Sequence, residues 1–365
     1  MASAAAATLE ERILSLLNDS EIAAADICAG VGDRALVECR YPHVPAPAAG
    51  GSPLFLTASL TKPLIGLLIV QLAADGALGL NEPVRNFLPA FRRGPLRRIN
   101  FRHLLTHTSG LPDMLPENEQ LRAEHATVQQ FAELTAAQNP AFLPGEECSY
   151  CSMGFAVLQL VIEQITGVAL PQYLRDRVLT PLGMSETALG IPLDLEAWWA
   201  RTVPCQLPPG QPADCDWNWN SRYWRALGAP WGGLTSTAGD LSRLLRCLLR
   251  NGRGADGKAI FAAEVVTAAT SNQTQYFSAL PEAHRKSRPW GLGWRLNWPD
   301  HAGCFSDFLP FGAWGHWGAT GTQMWADSMT KRWCVILTQQ PWEQSQWMIQ
   351  RISNLLASSL AASGS

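Results

Sequence analysis

Ser59 and Lys62 form an S-x-x-K pair in the segment FLTASLTKPLIG, at the start of a predicted apolar helix. Lys62 is the only lysine among the first 257 residues of the chain. An amine can lose its proton when its surroundings lower its pKa, whereas a guanidinium in a protein stays charged. Residues three apart on a helix lie on one face, where the amine can take the hydroxyl proton, and the helix N-terminus favours the resulting negative charge. The pattern predicts a serine nucleophile with a lysine base, an arrangement that suits acyl transfer.

A second S-x-x-K pair, Ser328 and Lys331, lies between two strand-like runs. We predict that it forms the tip of a hairpin, where polar residues need no further explanation. The first pair begins an apolar helix, so we expect Lys62 to be partly desolvated and its ammonium form to be disfavoured. A solvated helix cap with an incidental lysine remains the alternative interpretation of Ser59 and Lys62.

The composition is that of a globular protein with a small-molecule partner. The chain has 365 residues, 47% of them hydrophobic and 16% charged, with a net charge of -3 and no run of like charges. This gives no electrostatic footprint for nucleic acid or for an anionic membrane. The N-terminal segment lacks the pattern of a secretory signal, and the longest apolar run, 63–74, is shorter than the roughly 20 residues that span a bilayer. We therefore expect a cytoplasmic protein with neither a nucleic-acid nor a membrane partner.

The nine cysteines are expected to be reduced thiols. Cys148 and Cys151 form a C-x-x-C, which could serve redox chemistry or half a metal site, but no second pair accompanies it. His103 and His107 are predicted to lie one turn apart on a helix, without the glutamate of the zinc protease motif. We expect no metal and no other cofactor.

The elements that must position these residues change in character along the chain. Both ends show strand-like alternation with flanking helices, at about 1–95 and 288–365, and we expect them to share one sheet. Several segments in between have helical periodicity and stop at Gly or Pro, which predicts a helical lobe over about 96–287. The sequence thus predicts a single unit, an α+β fold with an antiparallel sheet flanked by helices and an added all-helical lobe.

Six segments, in order along the chain, resemble the serine β-lactamase and penicillin-binding family. They are SLTK at 59–62, RHLLTHTSGLPD at 102–113, FLPGEECSYCSMGFAVLQLVIEQITG at 142–167, PLGM at 181–184, GGLTSTAGDLSRLL at 232–245 and GHWGATG at 315–321. The resemblance is greatest to the class C β-lactamase group, which includes carboxylesterases, D-amino-acid peptidases and acyltransferases. It implies a β-lactamase/DD-peptidase-like fold with the active site between the sheet and the helical lobe.

The resemblance also implies roles for single residues. Ser59 is the nucleophile and Lys62 its proton acceptor, and Tyr150 matches the tyrosine that shuttles a proton to the leaving group. A phenol can do this only if a nearby cation such as Lys62 stabilises its phenolate or shares its proton, so we expect Lys62 and Tyr150 to titrate as a coupled pair. The backbone N–H groups of Ser59 and Ala319 would form the oxyanion hole, and Gly318 would let the substrate lie against the strand.

Two positions differ from the family pattern in their side chains. His316 stands at the first residue of the Lys-Thr-Gly strand and is implied to hydrogen-bond a substrate carbonyl or carboxylate. It is mostly neutral at pH 7 unless its pKa is raised, whereas a dedicated carboxylate clamp would keep its full charge. Ser152 replaces the asparagine of the Tyr-x-Asn motif, which puts β-lactam and peptide turnover in doubt more than ester turnover.

An aromatic segment at 215–233 has four tryptophans just before a Gly-Gly turn. Tryptophans at this density suggest the wall of a pocket for an apolar acyl group. The alternative is a loop that is held against the core by its buried tryptophans. Trp314 and Trp317 flank His316 and favour the pocket.

Together these features predict a serine hydrolase for small esters, with β-lactamase, D-amino-acid peptidase, acyltransferase and non-catalytic scaffold as the alternatives. The sequence does not specify the acyl group, the leaving group or the oligomeric state.

Overall fold

A six-stranded antiparallel sheet joins the two ends of the chain. The computed structural model describes residues 7–41, 51–298 and 305–362. The strands are β1 (Ala25–Val31), β2 (Arg34–Arg40), β3 (Phe55–Leu56), β4 (Ala188–Leu189), β5 (Leu234–Ser236), β6 (Arg295–Leu296), β7 (Trp314–Gly318), β8 (Thr322–Ala326) and β9 (Arg332–Thr338). The order in the large sheet is β2-β1-β9-β8-β7-β6, and β3-β5-β4 form a small second sheet. The pairing of β1 with β9 confirms the predicted antiparallel sheet built from both chain ends.

The helices lie on both faces of this sheet and extend beyond it. They are α1 (Leu9–Asn18), α2 (Thr61–Ala74), α3 (Phe101–Leu105), α4 (Asn118–Ala123), α5 (Val128–Ala137), α6 (Met153–Thr166), α7 (Leu170–Leu174), α8 (Thr180–Leu182), α9 (Glu196–Trp199), α10 (Arg222–Leu227), α11 (Ala238–Leu249), α12 (Ala263–Thr270), α13 (Glu282–Ser287) and α14 (Trp342–Ala362). A π-helical turn connects α7 to α8.

Strand β9 is apolar on both sides because the sheet is covered on both faces. Cys334 and Ile336 pack into the cluster formed with α1 and α14, whereas Trp333, Val335 and Leu337 belong to the main core on the other face. Successive side chains of a strand point to opposite faces, so a continuous apolar run is what two covered faces require. Helix α11 lies against β1, β8 and β9, although its residues fall within the range predicted for the helical lobe.

Helix α2 is the central helix and carries Lys62 near its N-terminus. All of its residues from Thr61 to Val70 are buried, and it packs against α6 and α12. A helix that is apolar all round has no solvent face and must lie inside the protein. This confirms the prediction of a core helix.

Of two local predictions, one is confirmed and the other is wrong. Ser328 and Lys331 lie between β8 and β9, where Ser328 Oγ accepts from Trp314 Nε1 and Lys331 Nζ donates to the carbonyl of Leu249, so the hairpin tip is confirmed. The predicted helix with His103 and His107 one turn apart is wrong, because α3 ends at Leu105 and His107 has a left-handed backbone with φ of 58°.

No single helix in the described ranges is long and apolar enough to cross a membrane. One pair, α6 with the segment Leu170–Leu182, has the required length and composition together, but it bends by 77° at the junction.

Candidate active site

Ser59 lies in a tight turn between β3 and α2. Ala58 directly before it has a φ of 47°, a left-handed conformation that is unfavourable for a residue with a Cβ atom. The turn is held by Thr61 Oγ1, which donates to the carbonyl of Ala58 at 2.7 Å, and by the Thr57 amide, which donates to the carbonyl of Leu234. Ser59 itself is half-buried. The surrounding bonds therefore fix the position of its hydroxyl.

Lys62 is fully buried and reaches back to Ser59. Its Nζ atom lies 2.9 Å from Ser59 Oγ and donates to the backbone carbonyl of Trp231 at 2.8 Å. Burial lowers the pKa of Lys62 to about 7, partly opposed by the negative charge of Asp113. A large fraction of the molecules therefore holds Lys62 as a neutral amine at neutral pH, with a lone pair for the Ser59 proton.

Tyr150 completes the group from the segment before α6. Its hydroxyl is hydrogen-bonded to Ser59, and its ring centroid lies 4.8 Å from Lys62 Nζ. Burial raises the pKa of Tyr150 well above its ordinary value, so the residue is a neutral phenol. Lys62 Nζ lies over the face of this ring. These pKa shifts do not favour the expected phenolate held by a lysine cation, because burial disfavours the charged forms of both Lys62 and Tyr150.

Two buried histidines lie beside Tyr150 and are also neutral. The ring centroids of His107 and His316 are 4.6 Å and 6.1 Å from that of Tyr150. Burial and the nearby Lys62 charge lower the pKa of His316 to about 3 and that of His107 well below its ordinary value. Neither of these two imidazoles therefore carries a charge that would stabilise a Tyr150 phenolate.

His316 does not reach either cavity at Ser59. Its ring is fully buried on β7, and Nδ1 donates to the carbonyl of Trp317 at 2.6 Å, which leaves the Nε2 lone pair without a partner among the described residues. His316 is not among the residues that line these two cavities, so its implied contact with a substrate stays a prediction. Trp317, the next residue, faces the opposite side of β7 and does line a cavity.

The end of β7 is pressed against the Ser59 turn. A Cβ atom at Gly318 would lie 2.4 Å from the carbonyl oxygen of Thr57, so only glycine permits this approach. Thr322 Oγ1 donates to the same carbonyl at 2.8 Å, and Thr320 Oγ1 donates to that of Leu56 at 2.6 Å. These contacts bring the backbone of Ala319 next to Ser59, and both residues line the same cavities. The backbone N–H groups of Ser59 and Ala319 donate no turn or loop hydrogen bond within the described residues, so both are free to bind a ligand oxygen.

Two cavities meet at Ser59, Tyr150, Trp219 and Ala319. The inner cavity, of about 310 Å³, extends into the helical lobe. Its further lining includes Ser152, Asn118, Arg122, Trp224 and Trp231. The outer cavity, of about 420 Å³, extends to Pro209, Trp317, Trp342 and Glu343.

The aromatic segment contributes to both the cavity wall and the core. Trp219, Trp224 and Trp231 line the inner cavity, as the pocket interpretation predicts. Trp217, Trp224 and Trp231 are also almost fully buried, as the alternative of a pinned loop predicts. Trp314 is in the core, edge-on to Trp294, so its predicted place beside the pocket is wrong. The period-two alternation of β7 separates it from Trp317.

The thiols of the C-x-x-C pair point to different carbonyls. Cys148 Sγ lies 3.6 Å from the carbonyl oxygen of Thr106, and Cys151 Sγ lies 3.3 Å from that of Pro112. Both cysteines are buried and free, and burial raises the pKa of each thiol. No group of three or more metal-ligating side chains occurs in the described part of the chain.

Several functional contacts had no signal in the sequence. The carbonyl of Trp231 holds Lys62, yet any residue can supply a carbonyl at that point. Thr320 and Thr322 clamp the turn, but hydroxyls near a Gly-x-Thr-Gly segment are typical of ordinary loops. Asn118 and Arg122 lie on α4, whose sequence resembles a solvated surface helix.

Comparison with known proteins identifies the family. A sequence model of the family described as Beta-lactamase matches residues 41–348. Penicillin-binding protein 4 of Amycolatopsis lactamdurans is 30% identical over 278 residues, covering 74% of this chain and 67% of that protein. Penicillin-binding protein 4* of Bacillus subtilis is 31% identical over 140 residues, but the match covers only 30% of its length.

Solved structures with the same fold cover nearly the whole chain. EstA from Arthrobacter nitroguajacolicus Rue61a superposes with a TM-score of 0.74 at 18% identity and covers 100% of both chains. EstCE1, described as a hydrolase with promiscuous acyltransferase activity, superposes with a TM-score of 0.73 at 20% identity, covering 96% of this chain and 97% of its own. At these identities the likeness shows the fold, which is the predicted β-lactamase/penicillin-binding type.

Proposed function

Because this chain belongs to the β-lactamase family, we propose that it is a serine hydrolase that forms an acyl-enzyme at Ser59 and acts on small carboxylic esters. The observation that carries the proposal is the 2.9 Å contact between Ser59 Oγ and Lys62 Nζ. It joins a hydroxyl nucleophile to a buried amine whose pKa is lowered to about 7, as general-base catalysis near neutral pH requires.

In the first half of the reaction, Lys62 Nζ takes the proton of Ser59 Oγ while Oγ bonds to the ester carbonyl carbon. The carbonyl oxygen becomes an oxyanion, which the amides of Ser59 and Ala319 stabilise. The C–O bond to the leaving group then breaks, and the Tyr150 hydroxyl supplies a proton to the departing oxygen. The proton held by Lys62 then passes to the Tyr150 oxygen, which restores the neutral amine and the neutral phenol. Water then attacks the acyl-enzyme by the same route in reverse.

The preference for esters rests on Ser152 and on the neutral Tyr150. An ester expels an alkoxide, which is a weaker base than the amide anion that an amide substrate would expel, so ester cleavage depends less on protonation of the leaving group. Ser152, at the start of α6, offers the cavity one short hydroxyl in place of the amide of an asparagine. Tyr150 has its proton available at all physiological pH values because its pKa is raised.

Acyl transfer to an alcohol is the second candidate. Two cavities meet at Ser59, so one can hold the acyl group while an acceptor occupies the other. Hydrolysis and transfer share every step up to the acyl-enzyme and differ only in whether water or an alcohol attacks it.

The test compares initial rates of the wild type and Ser59→Ala on p-nitrophenyl butyrate and a chromogenic cephalosporin, each with and without 1-butanol. We expect ester turnover that Ser59→Ala abolishes, with little cephalosporin cleavage. Formation of butyl butyrate at the expense of butyrate would favour the transferase. Equal rates for the wild type and the variant on every substrate would refute catalysis at Ser59 and leave the scaffold alternative.

The proposal keeps the expected small-molecule substrate and cytoplasmic location. Eight free cysteines in the described ranges, seven of them buried, support a reducing compartment. Cell fractionation with an antibody to the protein tests the location; recovery with a membrane or extracellular fraction would contradict it.

A further inference from the structure

We infer that Arg122 and Asn118 form an anion site in the inner cavity that binds a carboxylate carried by the acyl group of the substrate. This inference rests on the proposed function, because it names the substrate class for the cavity that contains Ser59. It concerns side chains of α4.

Arg122 is a buried cation that makes no ion pair with an acidic side chain of the described residues, although the charge of Glu119 on the same helix acts on its pKa. Its side chain is almost fully buried, with 5% of its surface exposed, and it lines the inner cavity. Its Nε and Nη2 atoms donate to the carbonyl of Trp217, while Nη1 has no hydrogen-bond partner among the described residues. Arg332, by contrast, is buried beside Asp327 with an Nη2 to Oδ2 distance of 3.2 Å. Burial lowers the pKa of Arg122 only to about 10, so the guanidinium stays charged.

The aromatic rings around Arg122 hold the guanidinium in place. Its Cζ atom lies 4.1 Å from the ring centroid of Trp224 and 5.1 Å from that of Trp217. Stacking of this kind stabilises a cation but leaves the edge of the guanidinium available. The Nε and Nη2 atoms are held by the Trp217 carbonyl, and the rings hold the face of the guanidinium. The free Nη1 atom is therefore a fixed donor beside the cavity.

Asn118 supplies a second free polar group on the same wall. It lies four residues before Arg122, so the two side chains occupy one face of α4. It also lines the inner cavity, and its Oδ1 atom is buried without a partner. Its side-chain amide has no hydrogen bond to the described residues, so it can turn its NH₂ group toward an anion. A guanidinium and an amide on one wall of the cavity can together donate to the two oxygens of a carboxylate.

The inner cavity suits the acyl half of the substrate. It is walled by buried residues such as Trp231, whereas Pro209 and Glu343 at the outer cavity are exposed. The leaving group must depart after acylation while the acyl group stays on Ser59, so the more open cavity suits the leaving group. Asp113 also lines the inner cavity, but it is exposed and accepts a hydrogen bond from the Ser152 amide. Its charge acts on Lys62 and Tyr150 at the Ser59 end of the cavity, whereas it is not among the charges that shift the pKa of Arg122.

A structural role for Arg122 is the competing explanation, and Arg225 provides a matched control. Arg225 is 1% exposed, has no acidic partner among the described residues, and donates to the carbonyls of Trp219 and Val203. It therefore supports the same aromatic segment without lining either cavity. Substitution of Arg225 should destabilise the segment while leaving the choice between charged and neutral substrates unchanged.

The kinetic test uses two esters of equal size, p-nitrophenyl hydrogen adipate and the p-nitrophenyl ester of 6-oxoheptanoic acid. The wild type should prefer the carboxylate ester in kcat/KM, and Arg122→Gln should reduce that ratio by about 10- to 100-fold. Arg122→Lys should recover part of the ratio, and Arg225→Gln should keep the wild-type ratio. A ratio unchanged by Arg122→Gln, or a loss of activity equal on both esters, would overturn the inference.

A binding test separates this inference from the proposed function. Ser59→Ala cannot be acylated, so its tryptophan fluorescence can be titrated with monomethyl adipate and with neutral dimethyl adipate. We expect tighter binding of the anion, with the difference lost in Ser59→Ala/Arg122→Gln and retained in Ser59→Ala/Arg225→Gln. Equal binding of both compounds would refute the anion site even if the wild type hydrolyses esters. Selective anion binding by a protein without esterase activity would refute the proposed function alone.

Discussion

The backbone carbonyl of Trp231 accepts a hydrogen bond from Lys62 Nζ at 2.8 Å, across 169 residues of the chain. The same nitrogen lies 2.9 Å from Ser59 Oγ. One bond thus fixes the amine, and the other directs it to the nucleophile. Because the site is buried, the amine has a lowered pKa, and several measurable properties depend on that pKa.

The pH dependence of ester hydrolysis should report the protonation of Lys62. Only the neutral amine can accept the Ser59 proton, so kcat/KM should rise with unit slope up to a pKa near 7 and then level off. Tyr150 has a raised pKa and His316 a pKa of about 3, so neither should add a transition between pH 5 and pH 9. Stopped assays in constant ionic strength buffers check this. A fall in kcat/KM between about pH 7 and 9 would contradict the assignment of a protonated Tyr150.

Replacement of Lys62 by methionine should abolish turnover and make the stability less dependent on pH. The folded pKa is about 7 and the ordinary value 10.5, so between these values the unfolded chain binds a proton that the folded protein lacks. The wild type therefore gains stability as the pH rises through this window, and below about pH 7 the burial penalty is fully present. Relative to the wild type, Lys62→Met should be most favoured near pH 6, by a few kcal/mol on the order of the pKa shift.

Urea unfolding of both proteins at pH 6, 7.5 and 9 measures this difference. Ser59→Ala is the control, because it removes activity without removing the buried amine. A stability difference between Lys62→Met and the wild type that is the same at all three pH values would contradict the lowered pKa.

Substitution of Gly318 by alanine should damage catalysis by moving β7 away from the Ser59 turn. The added Cβ atom would lie 2.4 Å from the carbonyl oxygen of Thr57, and the strand must shift to relieve the clash. The Ala319 amide would move with it, and loss of one oxyanion donor costs about 10²- to 10³-fold in kcat. Gly312→Ala is the control, since a Cβ atom there meets nothing within 4 Å. Near wild-type kcat in Gly318→Ala would argue against the proposed oxyanion hole.

Substitution of Thr322 by valine should loosen the same turn with little change in shape. The hydroxyl is buried and donates to the Thr57 carbonyl at 2.8 Å, and loss of such a bond costs about 1 kcal/mol. We expect a lower Tm and a several-fold lower kcat/KM. Thr267→Val removes an exposed hydroxyl bonded within α12 and should change neither property. Equal effects of the two substitutions on kcat/KM would exclude a positioning role for Thr322.

Much of the fold was predictable because its signals are local. The apolar run of α2 predicted a buried helix, and the strand-like segments that became β7 to β9 predicted their own secondary structure but not that both faces would be covered. The short segment after α3 was not predictable in this way. A turn begins at Thr106 and His107 adopts a left-handed backbone, and helical periodicity contains no information on where a helix stops. The place of α11 on the sheet was also not apparent, since an amphipathic pattern shows that a face is buried and not which partner covers it.

The sequence by itself determined the pairing of Ser59 with Lys62, because three residues of separation at a helix start place two side chains together whatever the rest of the chain does. It also determined the family, through six short motifs in order. Only the tertiary structure decided the protonation states, since burial of Lys62, Tyr150 and His316 depends on residues far away in the chain. The same holds for the charge in the inner cavity, because Arg122 becomes a buried cation only when Trp217 and Trp224 close over it. Spacing fixes local geometry, whereas desolvation is a property of the packed molecule.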